Sequence, residues 1–451
     1  MQADHHSMKT SKLIHFPAAL PMAAIATLAT LTGVFDLPAQ TRLPDEIEPH
    51  EGTWLAWPHH YTYGAAYRNS LDATWVAMTK ALVPGERVHI IAYDATERAR
   101  ITALLTAGTV TPGKVDFVLR QSDDVWVRDN GPIFVFDNAG TLKITDWGFD
   151  GWGDDTPYAK DNTLPAGAVA TLNVPRVDLS GIVLEGGAVE HDGHGTMMAC
   201  RSSILDSARN PGISQAQLEA ALRTHFGFTK FVWLDGSFGG EDEITDMHID
   251  GFLRFAPGGK MVTLSNSDLD YWGLPAADIP RINAATDHNG LPYSIIRLPL
   301  TATDVKTTAG KNLGYKGSYV NYYVANHAVL VPAYNDANDA LARNLLAPLY
   351  PGRTIVGIDV RNLYENGGMV HCVTQQQPAV LPRLECTSPA NNSMTLDFTG
   401  EPNHIYRLQA SPDLQSGGWA DVSTFTLSGQ SKSLPVAISG LSRRFFRVVE
   451  P

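Results

Sequence analysis

Cysteine is scarce. Cys200, Cys372 and Cys386 are the only three in 451 residues, too few and too scattered for a disulfide scaffold, and an odd count leaves at least one thiol free. No Cys/His pair stands at zinc-type spacing. Basic charge is also short: 34 Lys and Arg against 47 Asp and Glu give a formal net charge of -13. That excludes the basic footprint of a nucleic-acid binder and suits a cationic or neutral small ligand. Long apolar runs are absent after residue 40, so nothing beyond the N-terminus is expected to span a membrane. Disorder is excluded as well, because 44% hydrophobic and 18% charged residues are ordinary for a globular chain. The length points to more than one domain.

The N-terminus reads as a leader. Lys9 and Lys12 precede an apolar stretch from Ala18 to Phe35, with no charge until Asp36. A basic segment followed by an apolar run is the pattern of a secretory signal, which implies export, periplasmic or extracellular, with residues 1–39 as the signal peptide. An uncleaved N-terminal anchor is the alternative.

From Leu43 onward apolar strand-like runs alternate with helical spacing, the α/β signature. Ser70 to Leu82 carries Leu71, Trp75, Met78 and Leu82 at helical intervals, Arg87 to Tyr93 reads as a strand, and Ala95 to Ala107 as a helix. Two loops concentrate binding chemistry. Gln121 to Pro132 brings together Trp126, Arg128 and Asp129 before an Asn-Gly-Pro turn. Asp146 to Asp155 sets glycines and Trp152 among carboxylates, a composition suited to a cation. Ile182 to Glu190 is an apolar strand running into Glu185 and a Gly pair; a hairpin with a solvated Glu is the bland alternative.

Glu241 to Phe252 is the densest cluster. Were Thr245 to Phe252 extended, Asp246, His248 and Asp250 would share one face, with Met247 and Ile249 toward the core. An imidazole between two carboxylates has its pKa raised and its tautomer held. A structural ion pair or a metal site would look similar, although no second His lies nearby. Finally, Glu365 to Pro378 places Cys372 directly after His371, behind Gly367 and Gly368. A lone Cys in such a turn is either a nucleophile or a buried strand-end thiol. Thr196 to Cys200 reads as a strand, so Cys200 packs.

Taken together, Trp126-Val127-Arg128-Asp129-Asn130-Gly131-Pro132, Glu185-Gly186-Gly187, His248-Ile249-Asp250 and Gly367-Gly368-Met369-Val370-His371-Cys372-Val373-Thr374-Gln375-Gln376 make the chain resemble the agmatine deiminase and bacterial peptidylarginine deiminase family of guanidine-modifying enzymes. The resemblance spans about Leu43 to Pro382. It implies a five-bladed α/β propeller (pentein) built around a central pocket. It also implies Cys372 as nucleophile, His248 as general acid and base, Asp129 and Asp250 as guanidinium-binding carboxylates, and Glu185 as support for the His. Trp126, Trp152 and Gly368 would contact substrate. No cofactor and no metal is implied. The expected substrate is agmatine, with an arginyl peptide as the alternative; no nucleic acid partner is expected, and homo-oligomerisation is left open. Two departures from the family pattern stand out: Met247 where Gly usually precedes the His, and Met369-Val370 in place of Asn-Ile.

After Pro378 the texture changes to short strands separated by Gly, Pro, Asn and Ser, which reads as a small all-β sandwich module over 384–451, following a catalytic domain over 40–383. Tyr406, Trp419, Phe445 and Phe446 are its expected core. A rival of another class is an exported binding protein with an inactive catalytic core that acts through this β module.

Overall fold

Between residues 50 and 378 the chain writes the same sentence four times (strand, tight turn, antiparallel strand, helix, parallel strand) and a fifth time with the first strand moved to the end and one parallel strand added. In the computed structural model, which describes residues 41–238, 244–386, 393–412, 418–437 and 444–450, this yields five mixed sheets. Ile133–Phe136 pairs antiparallel with Leu142–Gly148, which pairs parallel with Arg176–Val183. Val189–His191, Thr196–Cys200 and Lys230–Leu234 repeat the pattern across helix Gln215–Phe226. So do Leu253–Ala256, Lys260–Leu264 and Ser294–Leu298, and then Tyr323–Val324, Ala328–Ala333 and Thr354–Asp359. In the fifth sheet the first strand comes last in sequence: Gln375–Pro378 pairs antiparallel with His50–Ala56, which leads parallel to Arg87–Ala92 and Val115–Leu119. The unit is thereby closed by its own two ends.

The parallel pairs follow from their connections, since a parallel crossover needs a dozen or more residues and here holds a helix. Helix His60–Leu82 starts earlier than its apolar spacing suggests and breaks at Gly64, where φ is 68°. Its stripe of Leu71, Trp75, Met78 and Leu82 is buried as expected, and Cys200 is fully buried in the core. No helix among the described residues is long and apolar enough to cross a membrane. The leader residues lie outside the described residues.

Contacts divide the chain into one unit of Gln40–Thr171 and Pro175–Ala379 and a second built on Val380–Pro451. In the second, two three-stranded antiparallel sheets, Arg383–Cys386 with Ser393–Thr399 and Ser431–Ala437, and Ala420–Thr426 with Ile405–Ser411 and Phe445–Val449, enclose Leu396, Phe398, Tyr406, Leu408 and Phe446. Tyr406, Phe445 and Phe446 are buried as expected. Trp419 is not: it is half-buried, with the Arg447 guanidinium 4.3 Å from its ring.

Candidate active site

The short turns that run into the first strand of each sheet carry the chemistry. Trp126 and Asp129 belong to the turn before Ile133–Phe136, and Glu185 and Gly187 to the one before Val189–His191. His248 and Asp250 precede Leu253–Ala256, Asn321 precedes Tyr323–Val324, and Cys372 precedes Gln375–Pro378. A cavity of about 380 Å³ opens among them, lined by Asp129, His248, Asp250, Asn321 and Cys372 and walled by Trp126 and Trp152.

Gly187 marks the point of convergence. A Cβ built there would lie 2.8 Å from Asp129 Oδ1, 2.8 Å from His248 Nδ1 and 3.2 Å from Asp250 Oδ2. Only a bare backbone lets the three groups meet, and its N–H donates to Asp129 Oδ1 at 2.9 Å. Trp152 Nε1 donates to Asp129 Oδ2 at 3.2 Å. Gly368 serves a different close approach: a Cβ there would overlap the Cζ3–Cη2 edge of the Trp126 ring, so only a bare backbone leaves that ring its place.

His248 Nε2 is 2.6 Å from Glu185 Oε2, and Nδ1 is 3.7 Å from Asp129 Oδ1. Glu185 is itself braced by Arg209 Nε at 2.8 Å. Burial alone would lower the imidazole pKa, but the charges of Asp129, Glu185 and Asp250 and the Glu185 hydrogen bond raise it to about 9. Burial lifts Asp129 to about 6. Asp250 goes the other way: its burial is outweighed by a hydrogen bond and charge from His371, which hold it below the usual carboxylate range.

Cys372 Sγ lies 4.0 Å from Asp250 Oδ2 and accepts from Asn321 Nδ2 at 3.3 Å. Burial, then Asp250 and Asp129, push its pKa well above that of an ordinary thiol. A neutral thiol therefore faces two carboxylates and an imidazolium. A cation bound between the carboxylates cancels the field that opposes the thiolate.

The expected extended run through Thr245 to Phe252 is absent. Asp246 and Met247 have φ of 52° and 71°, and Ile249–Gly251 is a 3-10 turn. The imidazole lies between Glu185 and Asp129 rather than between Asp246 and Asp250. Asp246 instead accepts from Arg209 Nη1 at 2.6 Å. Met247 and Ile249 are both buried in the core as expected, and Met247 also lines the cavity. The left-handed φ at Met247 explains why Gly suits that position. Within the acidic loop, Trp152 reaches the cavity; Asp150 accepts from Gly153 N at 2.9 Å and caps its own turn.

Asn321 went unread in the sequence. It donates to Cys372 Sγ and to the Asp250 carbonyl at 3.3 Å each, and accepts from His371 N at 2.9 Å. The outer rim of Tyr271, Trp272, Tyr315 and Lys316 was missed as well. The signal for Asn321 is a lone amide within Tyr319-Val320-Asn321-Tyr322-Tyr323, an otherwise apolar run.

Most of the chain is similar to known proteins. The family model described as Porphyromonas-type peptidyl-arginine deiminase matches residues 42–378. A Streptomyces coelicolor protein is 34% identical over 344 residues, covering 75% of this chain and 98% of its own. Agmatine deiminase of Pseudomonas aeruginosa is 31% identical over 360 residues, covering 75% of this chain and 95% of its own. Among solved structures, the agmatine deiminase of Enterococcus faecalis superposes with a TM-score of 0.65 at 26% identity, covering 75% of this chain and 96% of that one.

Proposed function

The chain belongs to the Porphyromonas-type peptidyl-arginine deiminase family, and from that premise we propose that it is a hydrolase of C–N bonds that deiminates agmatine to N-carbamoylputrescine and ammonia. The observation that carries the reading is the meeting, in one cavity, of a thiol, two buried carboxylates and an imidazole held by a third carboxylate.

A guanidinium carbon is a poor electrophile in water because its charge is delocalised. Asp129 and Asp250, accepting paired N–H bonds, fix the planar cation opposite Cys372, and Trp126 and Trp152 flank it. With the substrate cation bound, the Cys372 thiol gives its proton to solvent, and the thiolate attacks the guanidinium carbon to form a neutral tetrahedral adduct. The His248 imidazolium protonates the departing nitrogen, ammonia leaves, and a thiouronium remains on Sγ. Neutral His248 then takes a proton from water as its oxygen adds to the same carbon. Collapse expels the thiolate, which takes up the hydroxyl proton of the adduct, so that a neutral ureido product leaves and the Cys372 thiol is restored. Glu185 keeps the ring oriented throughout.

One observation favours a second reading, deimination of an arginyl peptide. Lys316 lines the cavity near its mouth, with Nζ 5.4 Å from the Tyr271 ring centroid. A cation there is better matched to a carboxylate at the far end of the substrate than to an ammonium.

The finer architecture belongs to the same proposal. Five sheets of one pattern, each delivering a turn to a shared cavity, support reading them as the blades of an α/β propeller. Two antiparallel sheets around one apolar core support a β-sandwich module from residue 384. Export rests on the leader pattern at Lys9, Lys12 and Ala18 to Phe35, and cell fractionation with N-terminal sequencing tests it.

The deciding assay measures ureido product from agmatine, free arginine and an arginyl peptide, with Cys372→Ser as control. Turnover of agmatine first among the three, lost in the control, is the expected result. Preference for the peptide would replace agmatine with the second reading. Silence from folded protein on all three would sink the enzyme reading and turn attention to the β module.

A further inference from the structure

Behind Asp250 a chain of buried charges runs away from the cavity. Asp250 Oδ2 is 2.7 Å from His371 Nδ1, and the other ring nitrogen, Nε2, is 2.9 Å from Glu46 Oε2. Glu46 Oε1 accepts from Val324 N at 2.7 Å and lies 2.9 Å from Arg254 Nη2. Arg254 Nε in turn is 2.6 Å from Glu190 Oε1, and its Nη1 donates to the Tyr322 carbonyl. Every member is buried, Glu46 at 7% exposure being the most open. Such a network carries a large desolvation cost and is retained only where each member is paired.

Its place in the fold suggests what it does. Asp250 sits on the three-residue turn Ile249–Gly251, and Cys372 on the three-residue turn His371–Val373. Turns this short have few backbone hydrogen bonds with which to hold a side chain to the tolerance that catalysis needs. The ring of His371 ties one turn to the other, and Asn321, bonded to His371 N and to the Asp250 carbonyl, ties them a second time.

We infer that His371 and Glu46 are positioning residues for the reaction: Glu46 fixes the His371 ring, and His371 holds Asp250 by Oδ2, leaving Oδ1 for a substrate N–H. The inference rests on the deiminase reading given above. The groups facing Asp250 are His371, His248 and Arg254, which favour its charge, together with Asp129, Glu190 and the Cys372 thiol. Of those that hold it ionised, His371 acts most strongly, through its hydrogen bond first; burial and the charges of Arg128, 3.4 Å from Glu46 Oε2, and Arg254 lower the pKa of the His371 ring itself, so the hydrogen bond carries the effect at neutral pH. Without the ring, burial drives the carboxyl toward its neutral form, which cannot bind a cation.

The test uses the full chain and compares His371→Phe, His371→Asn and Glu46→Gln with wild type. For whichever of agmatine or the arginyl peptide wild type turns over, kcat and KM are measured against pH, with melting temperature alongside. His371→Phe is expected to lift the buried Asp250 past Asp129, whose carboxyl at about 6 sets the wild-type acid limb of kcat/KM, and so to move that limb up by about one pH unit or more. It is also expected to raise KM by about tenfold or more. His371→Asn returns an N–H toward Asp250 and is expected to bring the limb most of the way back. Glu46→Gln, which keeps the shape and removes the charge, is expected to fall between. If His371→Phe does not fold, the other two decide. Folded variants with an unchanged acid limb, or losses that follow melting temperature alone at every pH, would overturn the inference. A wild-type chain inactive on every guanidine fails at the earlier step, since it removes the deiminase reading itself.

Discussion

Within the five-sheet unit, Asp129, Glu185, His248, Asp250 and Arg254 are all buried, none more than 7% exposed. The interior of the C-terminal unit is instead Leu396, Phe398, Tyr406, Leu408 and Phe446, with Phe398 and Tyr406 packed edge to face at 4.6 Å. An apolar interior is stabilised by every methylene it buries. A charged interior gains stability only when every partner is present, and loses several kcal/mol when one is removed. The first unit, which holds apolar clusters of its own besides these buried charges, is therefore organised around a reaction as well as around cohesion. The second is organised around its own cohesion, and substitutions should separate the two.

The largest separation is expected at Cys372. Cys372→Ser should lower turnover by about a thousandfold or more, while thermal unfolding stays within about 0.5 kcal/mol of wild type. A residual activity above one part in ten would mean that another group supplies the nucleophile. At Phe398 the effect should be the mirror image. Phe398→Ala is expected to destabilise the C-terminal unit by about 3–5 kcal/mol, read by denaturant titration, with kcat/KM within twofold of wild type. Loss of turnover in step with unfolding would show that the two units are coupled.

Gly368→Ala comes next. The added methyl meets the Trp126 ring, so the ring must leave its place against the cavity. A drop in kcat/KM of about a hundredfold is expected, against an overpacking cost of about 1–3 kcal/mol. Unchanged kinetics would show that Trp126 does not flank the substrate.

How much of this was legible depends on the scale of the signal. Helix Ala95–Ala107 and strand Thr196–Cys200 were readable because apolar periodicity is local. The motif residues Asp129, Glu185, His248, Asp250 and Cys372 were readable as clusters, and the structure brings all five into one place. What the sequence did not show was the connection between them. The backbone at Asp246 and Met247 takes the left-handed conformation, which alternation of polar and apolar residues cannot signal, so a turn was read as a strand. Asn321 and Glu46 were missed because their partners, Cys372 and His371, stand 51 and 325 residues away. The fivefold pattern supplies the missing rule. Four of the five turns leading into a first strand already carried a recognised motif, and Asn321 occupies the corresponding turn before Tyr323–Val324.

The pH dependence of turnover sharpens the comparison further, because it acts on the charged unit alone. Asp129 and His248 set the two limbs, while the Cys372 thiol, held well above an ordinary thiol in the free chain, ionises as the substrate cation binds. Asp129 must be ionised to hold a guanidinium, and with burial lifting it to about 6, activity should rise as pH passes upward through that value. His248 must be protonated to release ammonia, and with its carboxylate neighbours raising it to about 9, activity should fall as pH passes upward through that value. The substrate guanidinium stays charged throughout, so kcat/KM should be bell-shaped with limbs near 6 and 9, each falling about tenfold per unit. The same shift carries a stability consequence of fixed sign. A folded-state imidazole at about 9 against its ordinary value of 6.5 stabilises the fold fully below 6.5, and that contribution is lost as pH rises through 9. Asp129, raised on folding, weakens the fold over its own interval as pH rises from 3.8 toward 6. Both act in one direction, so the melting temperature of Cys372→Ser, measured without turnover, should decline between pH 6.5 and 9. His248→Gln should flatten that decline. A melting temperature that rises over the interval would mean that His248 is neutral in the folded chain, and would remove it as the acid that releases ammonia.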